Sequence, residues 1–177
     1  QTLGGIVACN LSGSRRIQAG AARDHLLGFE AVSGRGEVFK SGGRVVKNVT
    51  GFDLSKLMAG SFGTLAVVTS LSVKVMPVPE KTRTLLILGL DETQAVRAMT
   101  KALQSPHEVN AAAYLAATQG RRSSVSYVSG AGQAITALRI QGPGPSVSAR
   151  LEELYRLLND AGDIEELHTH NSKKLWQ

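Results

Sequence analysis

Residues 47–79 read KNVTGFDLSKLMAGSFGTLAVVTSLSVKVMPVP, and this stretch decides how the rest of the chain is read. Asp53 stands before a short apolar-periodic run, Leu54, Leu57 and Met58, where its carboxylate can accept from the free backbone N–H groups of a first helical turn. Gly60 ends that helix. Gly63 follows, and the chain runs through 64–75, rich in β-branched residues and bounded by Pro77 and Pro79. The order is helix, tight turn, strand. The side-chain-poor backbone between them (Gly60, Ser61, Gly63, Thr64) is either a turn and nothing more, or a place where a ligand approaches bare N–H and C=O groups.

Upstream, residues 2–28 read TLGGIVACNLSGSRRIQAGAARDHLLG. Thr2, Gly4 and Gly5 precede an apolar Ile6–Ala8 that starts a short helix, and a glycine pair there is either a plain turn or a set of N–H groups open to an anion. Arg15 and Arg16 are either two solvated arginines or guanidinium forks for a phosphate or a carboxylate. Arg23 and Asp24 read as a structural ion pair or helix cap, and Cys9, with no base beside it, as a small core residue. Residues 26–40 form a hairpin: alternating Leu27–Val32, a Ser-Gly-Arg-Gly turn, then Glu37–Phe39, with Gly42 and Gly43 breaking the strand. Asn48-Val49-Thr50 has the form of a glycosylation sequon, discounted for want of a secretion signal.

Taken together, these motifs resemble the FAD-linked oxidases of the vanillyl-alcohol oxidase type, and within them the small FAD-binding subunit of bacterial glycolate oxidases. TGFDLSKLMAGSFGTLAVVTSLSVKVMPVP is similar to that family's TGYDL…GSxGTLGVIT…LKxxPxP signature. Residues 2–28 match every fixed position of T-[IL]-G-G-x-[VI]-A-x-N-x-S-G-x-R-R-x-x-x-G-x-x-R-D-x-[VL]-L-G. By the resemblance, FAD contacts fall on Thr2, Leu3, Gly4 and Gly5, on Asn10, Ser12, Gly13 and Gly20, and on Gly63, Thr64, Val67 and Val68. Phe62 replaces a glutamate common in the wider family and Ala66 replaces a glycine, which points toward the small subunit. The family's upstream glycine-rich pyrophosphate loop is not among these residues, and Gln1 is not an initiator Met. The expectation is therefore a fragment holding the second half of a flavin domain.

After Pro79 the pattern changes. Residues 82–90 read as a buried strand, and Asp91-Glu92-Thr93 caps a helix over 94–103 with Ala95, Ala98, Met99 and Ala102 on one face. Strand 109–116, a mobile basic loop 120–124 and a strand pair 124–127 with 134–141 follow. Pro143 and Pro145 introduce a helix over 146–160 with Val147, Leu151, Leu154, Leu157 and Leu158 at helical spacing, and 164–168 is a last strand. His168 and His170 sit on that strand's frayed end rather than in a zinc site, and the resemblance implies that Ser172–Trp176 begins a further helix. The order is ferredoxin-like. The expected fold class is α+β: residues 1–80 the second subdomain of a PCMH-type FAD-binding domain, an antiparallel sheet with short helices, and residues 81–177 a truncated ferredoxin-like cap.

Composition supports a globular chain: 42% hydrophobic residues over 177 positions, with one cysteine and so no internal disulfide. No run is long enough to span a bilayer, and a cytoplasmic location is expected, peripheral to a membrane only through partners. Residues 1–90 hold 11 Lys+Arg against 5 Asp+Glu, whereas 91–177 hold 9 of each, so the net +6 lies in the first half. Scattered basic residues with only 5% aromatics suit a small anion such as a pyrophosphate better than nucleic acid.

The resemblance implies an FAD-linked oxidoreductase subunit for a 2-hydroxy acid such as glycolate. It implies partners too, a larger flavoprotein subunit and an iron–sulfur subunit. No residue is assigned a catalytic role, and His25 reads as a helix-end position. The alternative is a non-catalytic assembly subunit with a flavin-type fold, and the last reading is an anion or nucleic-acid module.

Overall fold

The computed structural model describes residues 2–47 and 51–177, so the sequon at 48–50 lies outside the described residues. The chain divides into two compact units, Gln1–Pro77 and Val78–Gln177.

In the first unit, α1 (Leu3–Ala8), α2 (Arg16–Ala19) and α3 (Ala22–His25) lead into β1 (Leu26–Ser33) and β2 (Val38–Gly42), and α4 (Leu54–Met58) precedes β3 (Ala66–Val73). The three strands form one antiparallel sheet in the order β2-β1-β3. The expected hairpin is present with Val32 opposite Val38. Its turn is fastened by Ser33, whose Oγ accepts from the backbone N–H groups of Arg35 and Glu37 at 3.2 and 3.3 Å. Asp53 caps α4 as expected, accepting from Lys56 N–H at 3.2 Å. The core is small, with Phe29, Ala31, Met58 and Ala66 at its centre. Phe39 stands edge-on to Phe29 with ring centroids 5.6 Å apart.

The second unit runs β4 (Lys81–Leu88), α5 (Glu92–Leu103), β5 (Ala111–Leu115), α6 (Ala117–Gly120), α7 (Ser126–Gly130), β6 (Ile135–Gly142), α8 (Gly144–Leu158), β7 (Asp163–Leu167) and α9 (Thr169–Leu175). The sheet order β5-β6-β4-β7, antiparallel throughout, is the ferredoxin-like arrangement. Alternation along β4 and β6 sends Leu85, Ile87, Leu138 and Ile140 to one face, where Ala95, Ala98 and Ala102 of α5 and Val147, Leu151, Leu154 and Leu158 of α8 complete the larger core. Each fully buried Leu or Ile there contributes roughly 1.5–3 kcal/mol of transfer free energy. Leu86, Ile135, Ala137 and Leu167 face the other way.

That second face explains where the sequence expectations fail. Residues 124–127 do not pair as a strand. Val125, the N-cap residue of α7, and Val128 within that helix bury in one cluster with Leu86 and Ile135. At the loop expected over 120–124, Gly120 is buried at the end of α6 and Ser123 Oγ accepts from Val125 N–H, with 121, 122 and 124 exposed. Residues 172–176 close α9 instead of beginning a helix, because Ser172, Leu175 and Trp176 turn onto the sheet together. His168 is the N-cap position of α9 and His170 lies in its first turn, off the strand. Cys9 is exposed, not a core residue.

Candidate functional site

The site begins with α1. Thr2 Oγ1 accepts from Gly5 N–H at 3.1 Å, which starts the helix at Leu3, earlier than the Ile6 expected from apolar periodicity. Gly4 and Gly5 therefore lie in its first turn. The far end of the helix is bonded to the turn between α4 and β3: Gly60 N–H donates to Val7 O at 3.1 Å and Phe62 N–H to Ala8 O at 2.8 Å. These two bonds bring together segments more than fifty residues apart in sequence.

What they enclose is a hollow of about 240 Å³, walled by Thr2, Gly4 and Gly5 on one side and Ser61, Gly63, Val67 and Val68 on the other. The turn reaches it through a run of left-handed residues, Gly60 at φ +88°, Phe62 at +53° and Gly63 at +75°. A Cβ on Gly63 would meet open space, so that glycine answers to its backbone angle and not to crowding. Ser61 Oγ is buried there with no hydrogen-bond partner. A buried hydroxyl without a partner loses its hydration with nothing in return, and it suits a ligand that carries acceptor oxygens.

A second, larger hollow of about 500 Å³ lies within the same unit and takes in Leu3, Ser12, Gly13 and Gly20 of the expected contacts. Gly20, at φ +83°, has no room for a side chain, because a Cβ would stand 2.6 Å from Asp24 Oδ2. Arg15 lines this hollow with its Nε buried and unpartnered, whereas Arg16 is exposed and donates to Ser12 Oγ at 3.1 Å. The structure thus separates two arginines that the sequence could not.

Two expected contacts line neither hollow. Asn10, at φ +49°, spends its Oδ1 on Arg23 N–H at 2.9 Å, and Thr64 donates from Oγ1 to Ser61 O at 2.7 Å. Both shape the loops that carry the hollows. Asp24 is the helix cap anticipated, accepting from Ala21 N–H at 2.8 Å. That bond first, and the charges of Lys56, Arg23 and His25 after it, hold its carboxyl below the ordinary carboxylate range against the opposing effect of burial. His25 closes α3, with ring nitrogens 3.1 Å from Lys74 O and 2.8 Å from Ala19 O.

The chain is 51% identical over 78 residues to glycolate oxidase subunit GlcE of Escherichia coli (strain K12), a match covering 44% of this chain and 22% of that protein. It is 42% identical over 87 residues to glycolate oxidase subunit GlcD of Bacillus subtilis (strain 168), covering 49% and 18%. Its homologues are glycolate oxidase subunits and FAD-linked oxidoreductases. An uncharacterized FAD-linked oxidoreductase of Mycobacterium tuberculosis, 40% identical over 104 residues, covers 59% of this chain and 23% of the relative. The chain spans about a fifth of the length of these curated relatives. No family model matches it. A solved alkyldihydroxyacetonephosphate synthase superposes on 98% of the chain and 34% of its own length, with a TM-score of 0.75 and 18% identity, a likeness of fold alone.

The second unit holds a polar file that sequence patterning gives no means of finding. Arg139 Nε donates to Asn110 Oδ1 at 2.9 Å, Asn110 Nδ2 to Gln141 Oε1 at 2.9 Å, and Gln141 Nε2 to Thr82 Oγ1 at 3.1 Å. The Arg139 guanidinium lies over the Trp176 ring, 4.8 Å from its centroid. Among the described residues no His, Cys, Asp and Glu group could hold a metal ion, and no helix is long and apolar enough to cross a membrane.

Proposed function

We propose that residues 2–77 form half of an FAD site and that the chain belongs to a subunit of an oxidoreductase acting on a 2-hydroxy acid such as glycolate. The observation that supports this most is the hollow between α1 and β3. There the two segments whose residues resemble the FAD-linked oxidases meet, with Ser61 Oγ buried and unpartnered. The residues fit the diphosphate portion of a flavin nucleotide: Gly4, Gly5 and Gly63 keep the walls free of side chains, and Ser61 supplies a hydroxyl for a phosphate oxygen. Thr2 holds the first turn of α1 in place, and the bonds from Gly60 and Phe62 hold the opposite wall.

A flavin, when bound, supplies the hydride acceptor for oxidation of a hydroxyl-bearing carbon. His25 is clasped between two backbone carbonyls, and its part in this reading is to fix the wall between α2 and the exit of β3, not to take a proton from substrate. The relatives' names designate subunits, and the reading extends to a larger flavoprotein subunit and an iron–sulfur subunit as partners, in the cytoplasm. The second unit is read as the cap. Titrating the chain with FAD and following flavin fluorescence tests the proposal: saturable quenching supports it, and fluorescence unchanged across the titration contradicts it.

The assembly-subunit reading has its own support. Large apolar side chains stand exposed in the first unit, among them Phe52 at 91%, Val75 at 81% and Phe62 at 71%, and such surface suits a protein partner. Co-purification of the chain with a larger flavoprotein while itself free of flavin would favour that reading.

A further inference from the structure

The sheet of the second unit ends in two terminal strands, β5 and β7. β5 carries no charged residue, whereas β7 reads Asp-Ile-Glu-Glu-Leu, with Asp163, Glu165 and Glu166 exposed. One edge of β7 pairs with β4, and among the described residues no strand is bonded to the other. Beside β7, on the α8 side of the sheet, lies a hollow of about 570 Å³. Leu85, Leu151 and Ile164 give it an apolar floor, while Glu152 and Arg156 stand at its rim with opposite signs.

The register with β4 sorts the side chains of β7 by face. Ile164 stands opposite Ile87, on the face of the larger core and the hollow, whereas Asp163 and Glu165 stand opposite Leu88 and Leu86, on the other face. Glu166 is answered by Arg83, whose Nε lies 3.2 Å from its Oε1. Among the described residues no ion pair reaches Asp163 or Glu165, and Glu165 lies beside the Tyr127 hydroxyl, a neutral group. A terminal strand with free N–H and C=O groups is a template for one more strand, whose alternate side chains would fall over the hollow. Charge selects which strand that is. Antiparallel pairing of β7 with a second copy of itself, centred on Glu165, would set Glu165 against Glu165, and like charges directly opposite are unfavourable. A strand with lysine or arginine at alternate positions meets Asp163 and Glu165 with the opposite sign, and its intervening apolar side chains meet Leu85, Leu151 and Ile164.

We propose that the free edge of β7 docks an extended strand of a partner protein in which basic residues alternate with apolar ones. The basic side chains lie against Asp163 and Glu165, and the apolar ones enter the hollow beside α8. None of these residues belongs to the proposed flavin site, and the inference does not rest on that reading.

The test uses the whole chain and acetylated, amidated heptapeptides, with amide chemical shifts followed. A peptide of alternating lysine and valine should give saturable changes at 163–167 and at Tyr155. A peptide of alternating glutamate and valine should bind about tenfold more weakly or worse. The lysine peptide N-methylated throughout should not bind, since it brings no N–H to the edge. Glu165→Lys, at an exposed position, should abolish the preference for lysine while shifts elsewhere in the chain stay as they were. Equal binding of the lysine and glutamate peptides, a preference that survives Glu165→Lys, undiminished binding of the N-methylated peptide, or no saturable change at 163–167 would each overturn the proposal. So would changes at 163–167 on dilution of the chain alone, which would make a second copy the occupant.

Discussion

Thr2 Oγ1 stands 3.1 Å from Gly5 N, and a Cβ built on Gly5 would lie 3.3 Å from the same oxygen. The cap and the glycine are matched to each other. Thr2→Ala is expected to lower stability by about 0.5–2 kcal/mol through loss of the N-cap, with Thr2→Ser nearly silent. Urea unfolding of the two variants beside the parent chain checks this.

Ser61 carries the opposite signature. With its Oγ buried and unpartnered, Ser61→Ala removes a group whose desolvation costs roughly 1–3 kcal/mol. The variant is expected to be as stable as the parent chain or more so, yet to bind FAD more weakly. A variant that loses stability and keeps its FAD affinity would show that the hydroxyl has a structural role.

Gly28 and Gly42 face each other across the hairpin. A Cβ on Gly42 would stand 2.2 Å from Leu27 O, at a backbone φ of +74°, and one on Gly28 would stand 2.5 Å from Gly43 N. Neither neighbour is a flexible side-chain end. Gly42→Ala and Gly28→Ala should each cost about 1–3 kcal/mol or more, seen as a drop in Tm, whereas Gly34→Ala, with nothing within 4 Å, should leave Tm almost unchanged.

Acid sensitivity follows from Asp24. Its carboxyl titrates below the ordinary range in the folded chain because it accepts from Ala21 N–H. The stabilisation this supplies is fully present above the unfolded carboxylate pKa of about 4 and is lost as pH falls through the folded value. The stability gap between the parent chain and Asp24→Asn should therefore be constant near neutrality and narrow below about pH 4. A gap that widens on acidification would reverse the sign.

The legible parts of the fold were those with a local cause. Asp53 and Asp91 announce their helices by capping chemistry, and the apolar spacing of Val147, Leu151, Leu154 and Leu158 gives α8 without reference to anything distant. The hairpin from Leu26 to Gly42 follows from alternation and a Gly-containing turn. What escaped were elements whose cause lies elsewhere in the chain. The turn of α7 forms at 126–130 because Val125 at its N-cap and Val128 within it bury in one cluster with Leu86 and Ile135. Ser172 is buried because its hydroxyl meets that of Thr84, 88 positions away, in a hydrogen bond of 2.6 Å. At the candidate site the glycine motifs were readable, but Ser61 was only one small residue of a turn and Arg15 was indistinguishable from Arg16. Burial of Ser61 Oγ and Arg15 Nε depends on how α1, α2 and β3 pack, and no local pattern encodes it.

The central claim is that Gly4 and Gly5 on one segment and Ser61, Gly63, Val67 and Val68 on the other share one ligand. Mapping amide chemical-shift changes on adding FAD tests it most directly. Saturable changes concentrated on both segments at once, with the second unit little affected, are the predicted result. Changes confined to one segment, or spread over residues 78–177 with the hollow silent, would contradict it.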